Sequence, residues 1–151
     1  SEAEVAQMAP EDAAGHITAA PFFESLTTSS AKSFVSAFKL KYGQDAPIAA
    51  GAEAAYFQVH LFAKALEVVD TDAPEPLLEA LKGSEFDAPQ GRVRIDPENN
   101  HTYLWPKIGR VGADGAFEVV WSPPVRIKPD PYFLSPSIDD WSNLAFESQR
   151  A

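Results

Sequence analysis

The chain has 151 residues, 45% apolar and 23% charged, a make-up that suits one modest globular domain with its own core. Its 22 acidic residues against 12 basic ones give a formal charge of −10, which disfavours nucleic acid and anionic membrane surfaces as partners. Cysteine is absent, which excludes disulfides and thiolate metal sites, and no apolar run reaches the ~18 residues of a membrane span.

Residues 1–9 are expected to form a short helix, with Ser1 and Glu4 as a capping box and Pro10 as its stop. The acidic start, Ser1-Glu2-Ala3-Glu4, is unlike a signal peptide. With no initiator Met it fits a chain cut from something longer, so the compartment stays open between cytoplasm and periplasm. Gly15 to Ala20 reads as a short strand ended by Pro21. Phe22 and Phe23 follow at once, where an open α/β sheet usually places ligands. Ala31, Phe34, Val35, Phe38 and Tyr42 recur at helical spacing, and Gly43 closes that helix. A second helix runs from Gly51 to Val69, with an expected apolar stripe of Ala52, Ala55, Tyr56, Val59, Phe62, Ala63, Leu66 and Val69. A third starts at Pro74, uses Leu77, Leu78 and Leu81, and ends at Gly83.

Beyond Gly83 the period changes. Val93 and Ile95 alternate with Arg92 and Arg94 as in a half-buried strand. Asp96-Pro97-Glu98-Asn99 reads as a turn, and residues 102–111 as another strand in which Pro106 marks an edge or a bulge. Asp114-Gly115 signals a type I′ hairpin, with Ala116 to Trp121 returning antiparallel. From Ser122 the Pro-rich chain reads as an extended tail anchored by Tyr132, Phe133 and Trp141. Long amphipathic helices need a larger sheet than one early strand supplies, so either strands lie elsewhere in a longer protein or copies of the chain associate.

Ser1-Glu2-Ala3-Glu4-Val5, Gly15-His16, Ala20-Pro21-Phe22-Phe23, Glu53-Ala54-Ala55-Tyr56 and Asp87-Ala88-Pro89-Gln90-Gly91 occur in that order. Asn99-Asn100-His101, Gly115-Ala116-Phe117, Pro129-Asp130-Pro131-Tyr132 and Asp139-Asp140-Trp141 follow. Together these motifs resemble the short-chain amide and urea binding proteins of the type I periplasmic-binding-protein class. The tail resembles most the amide-sensing negative regulator of aliphatic amidase expression. The resemblance implies an α/β fold of two lobes joined by three crossover strands, about 350–400 residues long on the sizes expected for two lobes. This chain would be its C-terminal portion. Residues 1–23 would end the second lobe and supply a crossover strand, and 24–90 would return helices to the first lobe. Residues 91–122 would form a β-meander running back toward the second lobe, and 123–151 the extended tail.

The candidate ligand-binding residues are Pro21, Phe22, Phe23, Glu53 and Tyr56. Aromatic walls with a few polar groups suit a small planar amide, and Phe22 is expected to face the cleft more than Phe23. Both rings could equally be core aromatics. Glu53 could be a solvated or capping carboxylate at a helix N-terminus, and Tyr56 a packed residue. No catalytic constellation, phosphate loop or metal-ligand spacing is read among the residues, His16, His60 and His101 included. Asp139 and Asp140, adjacent on an extended tail, point apart, and the neighbouring Trp141 suggests docking. The expected role is therefore binding of a small amide or urea, with no enzyme activity and no cofactor. The implied reader of cleft closure is an antiterminator-type regulator protein in the cytoplasm or the permease of an ABC transporter in the periplasm. The third reading is a structural fragment without ligand affinity, which would associate when alone.

Overall fold

The computed structural model describes residues 1–131; the expected tail anchors Tyr132, Phe133 and Trp141 and the Asp139–Asp140 pair lie outside the described residues. The chain opens with two single-turn helices, α1 (Glu2–Val5) and α2 (Pro10–Ala13). Pro10 does not stop the first helix; it starts the second. Its fixed φ and missing N–H suit a first helical turn, and Ala9 before it is extended. The expected capping box is not formed either. The Ser1 hydroxyl donates to the Glu4 carboxylate, and no side chain caps α1.

Strand β1 (Ile17–Ala20) leads to helix α3 (Ser29–Tyr42), α4 (Ala50–Val69) and α5 (Pro74–Leu81). Thr28 caps α3: its Oγ1 accepts from the Ala31 N–H at 3.2 Å. Five strands follow: β2 (Glu85–Ala88), β3 (Gly91–Ile95), β4 (Thr102–Tyr103), β5 (Lys107–Val111) and β6 (Phe117–Trp121). They form two antiparallel sheets among the described residues, a first of order β1-β5-β6 and a second of order β2-β3-β4.

Two expectations change here. The early strand is not alone: β1 pairs with β5, Ile17 opposite Arg110 and Ala20 opposite Lys107. The expected strand over 102–111 is two strands in different sheets, parted at Leu104-Trp105-Pro106. Proline cannot donate a ladder hydrogen bond, so the chain changes sheet where it stands. The stretch 91–122 is thus shared between the sheets, and β2 opens the second sheet inside the stretch expected to be helical.

The β5–β6 hairpin turns at Asp114-Gly115 as expected, but not as type I′. The Gly115 N–H donates to Gly112 O, the Gly112 N–H to Ala116 O, and Gly115 alone in the loop has a positive φ, +78°. That is a type I turn closed by a left-handed glycine.

The long helix α4 is rotated from the expected orientation. Its buried face is Glu53, Phe57, Leu61 and Ala65, packed over β2 and β3 with Ala88 and Val93. The broader stripe of Tyr56, Val59 and Phe62 faces outward, Val59 at 66% exposure and Phe62 at 46%. A helix apolar on two faces has no single direction in its periodicity, and the small sheet selects the narrower face.

Candidate functional site at the passages between the sheets

The chain passes between the two parts of the fold three times among the described residues: through Pro21-Phe22-Phe23 after β1, through Leu104-Trp105-Pro106 before β5, and after β6, where Ile127 bridges Leu104 and Arg126 pairs with Glu85. The first two passages carry the candidate residues. Neighbouring side chains of an extended segment point to opposite sides. Phe22 enters the cluster of Ala31, Phe34 and Ile48 beside α3, its ring meeting Phe34 edge-on at 5.6 Å. Phe23 enters the cluster of Ala13, Val111 and Phe117 on the first sheet, 5.0 Å from the Phe117 ring. Both have 0% exposure, so Phe22 does not look into an open cleft in this structure. The tip of the Phe23 ring abuts β5: a Cβ at Gly109 would come within 2.6 Å of its Cζ. The two phenylalanines therefore key one passage into two separate cores.

Between the passages sits a polar group that the sequence reading passed over, apart from Glu53. Lys107 lies on the inward phase of β5 with Gly109 and Val111, and is only 6% exposed. Its Nζ donates to three carbonyls: Pro21 at 2.9 Å, Gln90 at 3.0 Å and Trp105 at 2.9 Å. An ammonium has three N–H bonds, so its capacity is filled. Gln90, in the turn between β2 and β3, holds the other side. Its backbone N–H and Nε2 donate to the two carboxylate oxygens of Glu53 at 3.2 and 2.9 Å, and its Oε1 accepts from the Trp105 N–H at 3.1 Å. The Trp105 indole donates to Arg92 O at 2.9 Å and lies over Gly91, where a Cβ would meet the ring at 2.9 Å. Gly91 also has a φ of +125°, so both the backbone angle and the space call for glycine.

Glu53 stands in the first turn of α4 as expected, but it is wholly buried rather than solvated. Burial pushes its pKa up to about 6, against the Gln90 hydrogen bonds and the charge of Lys107. Burial likewise pushes the Lys107 pKa down to about 8, opposed by the charge of Glu53. At neutral pH both are largely charged. A carboxyl that binds its proton more tightly in the folded state destabilises the fold as pH rises from about 4.5 to 6, by up to about 2 kcal/mol. Urea unfolding between pH 4 and 7 should show this as a difference: Glu53→Gln gains on the unsubstituted chain as pH rises through that window. Parallel stability curves would contradict the shift.

Tyr56 belongs to a different cluster. Its ring meets Phe34 at 4.9 Å and His60 at 4.5 Å along the groove between α3 and α4. Pro21, Phe22, Phe23 and Glu53 are thus gathered at the passages, and Tyr56 is turned outward. Among the described residues no group of three or more His, Asp or Glu is arranged to hold a metal ion. The signal that could have found Lys107 is its phase: with Val111 directed inward, alternation along β5 sends residue 107 inward too.

A groove of about 500 Å³ opens between the two parts of the fold, lined by Val5, Met8 and Phe117 on one side and by Glu24, Lys39 and Pro47 on the other. Glu24 spans it at the base. Its N–H donates to Glu2 Oε1 at 3.0 Å, and its carboxylate pairs with Lys39 at 2.7 Å. Burial raises the pKa of Glu2, offset in part by the Glu24 N–H.

The family described as "Periplasmic binding protein domain" matches residues 1–137. The structure is similar to a solute-binding protein of an ABC transporter from Rhodopseudomonas palustris BisB5, solved in complex with 3,4-dihydroxybenzoic acid. The TM-score is 0.74 at 25% identity, over 84% of this chain and 35% of that one. It is also similar to an ABC transporter substrate-binding protein from Sphaerobacter thermophilus, with a TM-score of 0.65 at 30% identity, over 74% of this chain and 32% of that one. In sequence it is 29% identical over 132 residues to a protein of Geobacillus stearothermophilus named limonene hydroxylase, covering 87% of this chain and 24% of that protein. The chain thus spans about a third of the length of the solved relatives and a quarter of the named hydroxylase. Among these relatives none is named for an amide or for urea.

Proposed function

The chain belongs to the periplasmic binding protein domain family, and from that premise we propose that it is a part of the solute-binding component of an ABC transporter, supplying portions of both lobes. The observation that carries this reading is the repeated passage of the chain between two small α/β parts, with a groove lined from both. That is the arrangement in which relative rotation of two lobes opens and closes a cleft. The likeness to transporter components supports it above the amide-sensor reading, which rests on the motif resemblance alone.

For the solute, the proposal is a small organic acid, with hydroxylated benzoates first, because the similar structure at 25% identity holds 3,4-dihydroxybenzoic acid. The passage residues hold the lobes in this reading and do not touch the solute: Phe22 and Phe23 are wholly buried. Glu53, Gln90 and Lys107 are bonded to one another and to backbone carbonyls, which makes theirs a holding role and not a catalytic one. Calorimetric titration of the two-lobed protein containing these residues, against 3,4-dihydroxybenzoate, benzoate, leucine, acetamide and urea, tests the proposal. Saturable binding of an aromatic acid at one site per chain is expected. Binding of acetamide or urea alone would return the assignment to the amide sensors.

A further inference from the structure

One ammonium is bonded to two of the three segments that join the two parts of this fold; the third, after β6, is held by Ile127 on Leu104 and Arg126 on Glu85. Pro21 gives its carbonyl from the first passage and Trp105 from the second, while Lys107 itself stands on the first sheet. The third carbonyl, Gln90, comes from the turn of the second sheet. Gln90 is in turn fixed to α4 through both oxygens of Glu53 and to the second passage through the Trp105 N–H. A hydrocarbon core at this place would avoid the cost of burying two charges, and it would leave those carbonyls without this donor. What the polar group adds is direction: three hydrogen bonds at set distances define where the passages stand relative to each other, which apolar contact does not.

We propose that Lys107 is a positioning residue, a clip that sets the angle between the two sheets, with Gln90 and Glu53 as its seat. A rotation of one part against the other must pivot about Nζ or break at least one of its three bonds. The clip therefore restricts motion to a narrow arc. Its relation to cleft closure rests on the solute-binding reading above; the clip itself does not.

Other charged groups nearby are engaged elsewhere. Asp87 pairs with Arg92, Glu85 with Arg126 and Arg110 with Glu118, all at the surface or half-buried. Glu53 is the charge that acts on Lys107, and Lys107 the charge that acts on Glu53.

Since the chain has no cysteine, spin labels can be placed at two introduced thiols without competition. Gln58→Cys on α4 with Glu118→Cys on β6 reports across the two parts; Gln58→Cys with Glu79→Cys on α5 reports within one of them. Labelled chain is diluted into unlabelled chain so that only intrachain distances are read by double electron–electron resonance. In Lys107→Met the cross-part distribution is expected to shift or to about double in width, as for a released hinge, while the within-part distribution stays unchanged. An unchanged cross-part distribution in folded Lys107→Met would overturn the proposal. So would equal broadening of both pairs, which would make Lys107 a general core residue. If Lys107→Met fails to fold, Lys107→Arg gives the reading, because a planar guanidinium cannot place three N–H bonds on the same three carbonyls. The same cross-part change is expected there, and its absence overturns the clip. No solute enters this experiment, so its outcome is separate from that of the transport reading.

Discussion

Replacing Phe23 by Ala is expected to cost about 3–5 kcal/mol of folding free energy and to weaken one part of the fold before the other. The ring has 0% exposure, packs on Phe117 and lies so close to Gly109 that no other residue fits beneath it. Removing it leaves a hole bounded by β5, β6 and α2, elements whose backbone ladders do not allow easy collapse. Phe22→Ala should cost a comparable amount by emptying the cluster of Ala31, Phe34 and Ile48 instead. Amide hydrogen exchange separates the two. Phe23→Ala should lower protection in β1, β5 and β6 first, and Phe22→Ala in α3 and the start of α4. Identical protection losses in both variants would show that the two cores are one cooperative unit. A loss under ~1 kcal/mol in either would show that the ring is not a packing element.

How much of this was legible beforehand depends on which physical signal each residue carries. The helices were readable because Ala31, Phe34, Val35, Phe38 and Tyr42 repeat at helical spacing and because Gly43 and Pro74 punctuate their ends. The hairpin was readable from Asp114-Gly115, although its turn type was not: type I′ and type I with a left-handed glycine share the same sequence preferences. Strand partners were not legible, since β1 and β5 are separated by some 90 residues and nothing local in Ile17–Ala20 names its neighbour. The facing of α4 was misjudged because apolar residues occupy two of its sides, and only tertiary contact decides between them.

The candidate residues divide in the same way. Position after a strand led to Pro21, Phe22 and Phe23, and all three do stand at a passage between sheets. Their side-chain direction depends on the cores on either side, and those are built from residues far along the chain. Glu53 was noticed for its place at a helix N-terminus, yet its burial comes from Gln90, 37 positions away. Lys107 was missed because lysine reads as surface. Its partners are carbonyl oxygens, and a carbonyl leaves no mark on the sequence.

Tyr42 on α3 and Tyr56 and Val59 on α4 line a groove of about 740 Å³ between the helices, and Phe62 stands exposed beside Val59. A large side chain moved from water to a packed interface contributes about 1.5–3 kcal/mol, so three or four of them favour association by several kcal/mol. In a two-lobed protein three times as long, the rest of the fold has room to cover such a face. In the 151-residue chain alone, a second copy is the available cover. The net charge of −10 opposes this, but it is screened beyond about 8–10 Å at ordinary salt.

The measurement that tests this most directly is sedimentation velocity of the isolated chain over a range of concentrations, paired with the variant carrying Val59→Lys and Phe62→Glu. If the chain is a portion of a larger two-lobed binding fold, it should associate reversibly, and the charged variant should shift the distribution to monomer without loss of helix. A single compact species of 16.4 kDa at every concentration, unfolding in one cooperative step, would contradict it and mark these residues as a self-sufficient domain.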